Sequence, residues 1–142
     1  MRLEEVNPRR WSNVRILFDD GEHGIVSGHY DGEARRVLGL RYNGEEHELG
    51  YPNARGYPTF FYFFALPELE LALLAALEKI VAADAELSHK YGEALREERA
   101  VFQRQQVQEI EARVRTQMEP QFQEEVARRI QEELRKTSAG EH

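Results

Sequence analysis

The chain has 142 residues, of which 32% are charged and 41% hydrophobic, and its formal net charge is −7. This acidic balance disfavours direct contact with nucleic acid, because phosphate binding needs local positive potential. The lack of cysteine excludes disulfides and thiolate chemistry and fits a reducing compartment. The first residues lack the apolar core of a signal peptide, and no apolar run is long enough to cross a bilayer. We therefore expect a cytoplasmic protein with no membrane contact.

Three Asx-Gly pairs mark tight turns in the first half, because Asp, Asn and Gly tolerate positive φ. β-branched and aromatic residues alternate between these pairs. On the first segment, Val14, Ile16 and Phe18 are expected to share one face. The pattern predicts an antiparallel β-meander of four to five strands in a domain over residues 1–66. The predicted strands are Asn13–Asp19, Glu22–Tyr30, Ala34–Tyr42 and, more weakly, Glu46–Tyr51.

Two Gly-Tyr-Pro triplets lie in the segment Gly50–Pro58 and contain Tyr51 and Tyr57. Turn punctuation explains the triplets, since each proline fixes φ. An aromatic ligand-binding loop is the functional alternative.

The aromatic stretch Thr59–Leu66 is bracketed by Pro58 and Pro67 and is apolar at consecutive positions. Its length and composition predict a strand that is apolar on both faces. Such a strand must be covered on both faces. We expect the second cover to come from another helical layer of this chain or from a partner.

Residues 67–91 are predicted to form a helix that packs on the sheet, because leucines recur at helical spacing after Pro67. Residues 92–137 are predicted to form an amphipathic helical segment, followed by a disordered end over 138–142. Gly92 either ends the first helix or lies inside a longer one.

The apolar positions of the second segment span two different helix faces, and Pro120 lies between them. We therefore predict two helices, or one helix kinked or broken near Pro120. Thin apolar stripes of this kind are typical of helices that associate with other helices. The predicted association residues are Val107, Ile110, Val114, Met118, Phe122, Val126, Ile130 and Leu134.

Candidate chemical sites are few. His23 and His29 share a face of the second strand and suggest a metal site with a nearby aspartate. The favoured explanation is that His23 lies in a turn and that His29 is an ordinary surface or edge residue. The acidic run Glu45–Glu48 is best explained as solvated surface. We therefore predict no catalytic residue, no metal site and no cofactor.

Arginines and aromatic residues of the first half could form one mixed face. Such a face stacks on bases or binds a protein surface, and its acidic neighbours favour the protein. The predicted partner-binding residues are Trp11, Arg15, Arg35, Arg36, Arg41, Tyr51 and Tyr57.

The pattern as a whole predicts an α+β protein that is not an enzyme. The favoured hypothesis is a protein-interaction or regulatory module that binds a protein partner or forms a homodimer. The alternatives are a nucleic-acid-associated regulator that uses the arginine and aromatic face, and a small-ligand or metal-binding enzyme domain.

Overall fold

An antiparallel sheet of four strands is combined with a long C-terminal helix, which confirms the α+β class. The structure, a computed structural model, describes residues 1–45, 47–63 and 66–140. A 3-10 helix, Leu3–Glu5, precedes the strands. The strands are β1 Trp11–Asp19, β2 His23–Tyr30, β3 Arg36–Tyr42, β4 Asn53–Ala54, β5 Tyr57–Pro58 and β6 Phe61–Phe63, and the helices are α1 Pro67–Ala82 and α2 Ala85–Gly140.

The sheet has the order β1-β2-β3-β6, while β4 and β5 form a separate two-stranded sheet. Its fourth strand comes from the aromatic stretch, with Leu40 opposite Phe61 and Leu38 opposite Phe63. The predicted strand Glu46–Tyr51 is not part of the sheet. Tyr51 forms only an isolated bridge with Tyr42, and Glu46 lies outside the described residues.

Strand β1 is irregular, with register shifts between Ser12 and Arg15 and between Ile16 and Phe18. A β-bulge reverses the side-chain alternation that follows it. Phe18 consequently packs in the same core as Leu17, whereas Ile16 packs in the other core. The prediction that Phe18 shares a face with Ile16 is therefore wrong.

One face of the sheet packs against both helices. Leu17 and Leu38 from the sheet meet Leu74 from α1 and Leu95 from α2, and all four are fully buried. Apolar burial of this kind contributes roughly 1.5–3 kcal/mol per side chain and fixes the helices on the strands.

The other face of the sheet is covered by the chain's own N-terminal segment. Leu3, Val6 and Trp11 pack there against Val26 and Val37. Our expectation of a second helical layer or a partner on this face is therefore wrong, because a 3-10 turn and one indole ring provide the cover.

The aromatic stretch lies at one end of the strand order. Phe60 is buried in the N-terminal core, Tyr62 packs against that core, and Phe63 packs against the helical core. Phe61 is 45% exposed. The described part of the stretch is thus covered except at Phe61 and at Leu66, which is 47% exposed, while residues 64 and 65 lie outside the described part of the chain.

The predicted helix over 67–91 is divided after Ala82. The Asp84 carboxylate accepts hydrogen bonds of 2.9 Å and 3.0 Å from the backbone N–H groups of Glu86 and Leu87. An aspartate in this position is an N-cap, so it begins a new helix.

Helix α2 continues through Gly92 and is not broken at Pro120. Proline removes one backbone hydrogen bond, and the surrounding residues are exposed, so water can satisfy the carbonyl left without a donor. The helix reaches Gly140, beyond the predicted start of a disordered end, and residues 141 and 142 lie outside the described residues. The chain divides into two compact units, residues 1–105, called the body below, and residues 106–142, called the tail.

Candidate functional site

Trp11, a predicted partner-binding residue, lies inside the body and is only 4% exposed. Its ring packs edge-on against Tyr30 and Phe60, with centroid distances of 5.4 Å and 5.3 Å. Gly39 makes room for the ring, because a Cβ at that position would come within 2.9 Å of the indole. Trp11 therefore stabilises the N-terminal core and offers little surface to a partner.

Arg35 and Arg36 join the sheet to the helices. Arg35 donates two hydrogen bonds, of 2.5 Å and 3.2 Å, to the Glu70 carboxylate, which is fully buried on α1. Arg36 donates a 3.2 Å bond from Nε to the buried Glu98 on α2 and a 3.0 Å bond from Nη2 to Ser27 Oγ. Both guanidinium groups therefore form ion pairs inside the body, and in each hydrogen bond of these pairs both the donor and the acceptor are charged.

Arg15 belongs to the same polar contact between the sheet and α2. Its guanidinium lies 2.7 Å from the Glu97 carboxylate and 3.9 Å from that of Glu98, and the side chain is 40% exposed. Gln105 completes the contact by accepting a 2.8 Å bond from the Arg36 N–H and donating a 3.1 Å bond to the Arg36 carbonyl. Three of the predicted arginines are thus used to dock helices.

Arg41 is 3% exposed and spans the space between the sheet and the loop before β6. Its Nη1 donates bonds of 2.8 Å and 2.9 Å to the carbonyls of Pro52 and Thr59. Within the described residues, its Nε and Nη2 have no hydrogen-bond partner, and burial lowers the pKa of the guanidinium. Arg41 therefore holds both ends of this loop in place.

Tyr51 and Tyr57 are the most accessible of the predicted partner-binding residues, at 58% and 76% exposure. The backbones of Tyr51 and Tyr42 exchange two hydrogen bonds of 2.7 Å. The Tyr51 ring also packs edge-on against Phe61 at 5.0 Å. We call Tyr42, Tyr51 and Phe61 the aromatic platform. Tyr57 lies on β5, in the separate two-stranded sheet.

The three rings of the platform lie on one face of the sheet. Directly paired residues of neighbouring strands project to the same side, and so do residues two apart on one strand. Tyr42 pairs with Tyr51, and Leu40, two residues before Tyr42, pairs with Phe61. Tyr42 and Phe61 are each 45% exposed, so the helices leave this end of the face open.

Acidic turns adjoin the same end of the sheet. Tyr42 pairs with His23, which directly follows the turn containing Asp20 and Glu22. The Glu22 carbonyl accepts a 2.6 Å bond from the Asn43 N–H, directly after Tyr42. The next loop contributes exposed Glu45 and Glu48, whose carbonyls accept bonds from the Met1 ammonium. We call the exposed carboxylates of Asp20, Glu22, Glu45 and Glu48 the acidic rim.

Asp20 has a defined role within this rim. Burial acts to raise the pKa of its carboxyl, but hydrogen bonds from the His23 N–H, the His23 ring and the Glu22 N–H outweigh burial and lower that pKa. The carboxylate therefore fixes the β1–β2 turn in its ionised form.

His23 and His29 do not converge on one site. His23 Nδ1 lies 3.1 Å from Asp20 Oδ2, whereas His29 Nδ1 lies 2.9 Å from the Glu33 carbonyl. The two residues stand at opposite ends of β2. The described part of the chain has no group of three or more His, Asp or Glu side chains placed to hold a metal.

The tail carries a row of large apolar side chains on its surface. Their exposure ranges from 37% for Val126 to 69% for Phe122. On a regular helix the first four fall within about 80° of arc, and the last four centre more than 100° away. We call this set the apolar row; it consists of Val107, Ile110, Val114, Met118, Phe122, Val126, Ile130 and Leu134.

Several charged groups near the end of the tail pair with each other along the helix. Glu125 accepts bonds of 2.8 Å and 2.9 Å from Arg128 and of 3.1 Å from Arg129. The Arg128 hydrogen bonds contribute most to lowering the pKa of Glu125. Lys136 lies 3.7 Å from both Glu132 and Glu133. Such pairs stabilise the helix itself, although solvent weakens each of them.

Sequence reasoning missed the acidic partners of the arginines and two members of the platform. Glu70 and Glu98 look like ordinary residues of charged helices, and only their position on the sheet-facing side signals burial. Phe61 was assigned to a covered strand. Tyr42 ends the third predicted strand, and its position alone does not mark it as part of a site.

No family model matches the chain, and no curated protein and no solved structure resembles it at a significant level. Among the described residues, none of the helices combines the length and apolar character needed to span a membrane.

Proposed function

We propose that the protein is a non-enzymatic protein-interaction module whose tail binds the apolar face of a helix, supplied by a partner protein or by a second copy of the chain. The observation that supports this proposal is the apolar row, with eight large apolar side chains that are each at least 37% exposed. Contiguous apolar surface of this kind is typical of interaction sites.

The energetics of the row suit reversible binding. Full burial of a large apolar side chain contributes about 1.5–3 kcal/mol. Because these side chains are 37–69% exposed, only about half of that gain remains available, so four of them offer roughly 3–6 kcal/mol against a cost of association of about 4–15 kcal/mol. One half of the row supports weak binding, and both halves together support a stable complex.

The geometry of the row favours more than one contact helix. Because its two halves centre more than 100° apart on a regular helix, one straight partner helix covers only one half. Complete burial requires two helices on different sides of the tail. A small helical bundle is the assembly that meets this requirement.

The placement of the basic residues weakens the other two hypotheses. A nucleic-acid contact would need free guanidinium groups, but Arg35 and Arg36 are engaged by Glu70 and Glu98. A ligand pocket under the Tyr51–Tyr57 loop would need the space that Arg41 spans.

The proposal is tested with the full chain by size-exclusion chromatography with light scattering and by capture of partners from the native cell. The variant Phe122→Glu, Ile130→Glu places charges in the apolar row. The control Gln121→Glu, Gln131→Glu adds the same charge at exposed neighbouring positions.

We expect the wild type and the control to show a mass above the 16.6 kDa of one chain, or to retain a shared partner, and the row variant to lose that interaction. A wild-type monomer that captures the same proteins as the row variant would contradict the proposal.

A further inference from the structure

The aromatic platform is a second exposed surface, and its three residues belong to the body. Tyr42, Tyr51 and Phe61 are 45%, 58% and 45% exposed. Single exposed apolar residues are common on proteins, but three neighbouring rings on one sheet face form a patch. Aromatic side chains are also the residues most enriched where proteins bind partners.

The platform is held rigidly. Two backbone hydrogen bonds of 2.7 Å join Tyr42 to Tyr51, and Arg41 fixes the following carbonyl, that of Pro52. Gly50 has a φ of +68°, and a Cβ there would lie 2.5 Å from the Asn43 carbonyl oxygen. Rings that are fixed before binding lose little entropy when a ligand arrives.

The charge beside the platform is negative. The acidic rim places four carboxylates in the two turns that adjoin Tyr42 and His23. Among the described residues, the rim carboxylates form one ion pair, between Asp20 and His23, and this histidine is charged only when protonated. The Met1 ammonium, which donates to the Glu45 and Glu48 carbonyls, is a single positive charge beside four carboxylates. The predicted arginines do not offset this charge, because Arg15, Arg35 and Arg36 are paired with helix carboxylates.

Rings and carboxylates favour the same kind of ligand. The face of an aromatic ring carries negative potential and attracts Arg and Lys groups placed over it. Arginine also stacks its plane on such rings while donating to carboxylates. Phosphate groups would be repelled by the rim.

We propose that the aromatic platform and the acidic rim together form a docking surface for a cationic segment of another protein. One or more Arg or Lys side chains lie over the rings of Tyr42 and Tyr51, and the neighbouring basic groups pair with Glu22, Glu45 and Glu48. The surface therefore selects a basic peptide and excludes acidic peptides and nucleic acid.

The test measures binding of a fluorescent peptide of repeating Arg-Gly units to the full chain by anisotropy at low salt, with a Glu-Gly peptide as the matched ligand control.

Tyr51→Leu keeps apolar bulk but removes the ring, whereas Tyr51→Phe retains the ring. Tyr57→Leu removes a still more exposed tyrosine, at 76% against 58%, from the separate two-stranded sheet. Glu22→Gln, Glu48→Gln neutralises two of the four rim carboxylates, and Glu33→Gln neutralises an exposed carboxylate in the β2–β3 turn.

We expect saturable binding of the Arg-Gly peptide alone. Loss of the Tyr51 ring should weaken it about two- to tenfold, while Tyr51→Phe and Tyr57→Leu should bind like the wild type. The rim variant should bind more weakly and show a smaller salt dependence than Glu33→Gln.

Four results would overturn the proposal. The first two are the absence of saturable binding and equal binding of the Glu-Gly peptide. The third is equal losses in the site and control variants, which would mean attraction by net charge alone. The variant Phe122→Glu, Ile130→Glu should leave peptide binding unchanged. A loss of binding in that variant would assign the peptide to the tail and likewise overturn the proposal.

Discussion

The buried pair between Arg35 and Glu70 makes the strongest test of how the body is held together. The Glu70 side chain has 0% exposure and Arg35 has 17%. Glu70→Gln keeps the shape but leaves a guanidinium facing an amide in a desolvated position. Removing one partner of a buried pair costs about 3–5 kcal/mol. Because Arg35 retains some solvent contact, we expect the lower end, about 3 kcal/mol.

The assay is urea unfolding followed by the fluorescence of Trp11, the single tryptophan of the chain. With a slope of about 2 kcal/mol per molar urea, the midpoint should fall by about 1.5 M. Glu68→Gln is the matched control, because Glu68 is exposed and lies two residues earlier on α1. It should change stability by less than about 0.5 kcal/mol.

Equal shifts in Glu70→Gln and Glu68→Gln would refute the reasoning, since burial would then have no influence on the cost. A replacement of both partners, Arg35→Met with Glu70→Leu, should recover much of the loss, because apolar pairs of similar volume often substitute for buried ion pairs.

Three further changes probe the other core, a turn and the platform. Trp11→Ala should destabilise the body by about 3–5 kcal/mol in thermal unfolding followed by circular dichroism, because it empties a buried site. Because the pKa of Asp20 is lowered from 3.8, its stabilisation is present above that value and is lost as the pH falls through the folded pKa. Asp20→Asn should therefore be less stable than the wild type at neutral pH and equal to it in strong acid, as thermal unfolding across pH will show. Gly50→Ala should speed amide exchange at Tyr51, whereas Gly56→Ala, with positive φ but open space around it, should not.

The first three strands were predictable because turn chemistry and alternation agree there. Gly21, Gly32 and Gly44 all have positive φ, as the Asx-Gly pairs require. The bulges in β1 left no comparable signal. Asn13 has a φ of 51° and lies within the first register shift, but an isolated asparagine in a sequence does not mark a bulge. The register shift depends on pairing with β2, which a single sequence does not reveal.

The division between the helices was signalled locally, whereas the second cover of the sheet was not. Asp84 followed by a helical run is an N-cap pattern, and the apolar periodicity across it concealed the boundary. Cover by the N-terminal segment depends on contacts between Leu3, Trp11 and strands far along the chain. Such contacts follow from tertiary packing and have no periodic pattern in the sequence.

The arginine face shows why a surface cannot be assigned from residue types alone. Arg35 and Arg36 beside aromatic strands are equally consistent with a nucleic-acid contact and with internal docking of a helix. The choice depends on Glu70 and Glu98, which lie more than 30 residues away and become partners only when the helices pack. Once these charges are paired inside the body, the accessible end of the sheet is left with rings and carboxylates. Its local charge is therefore opposite to that suggested by the arginines, and this reversal is the physical reason for proposing a cationic partner.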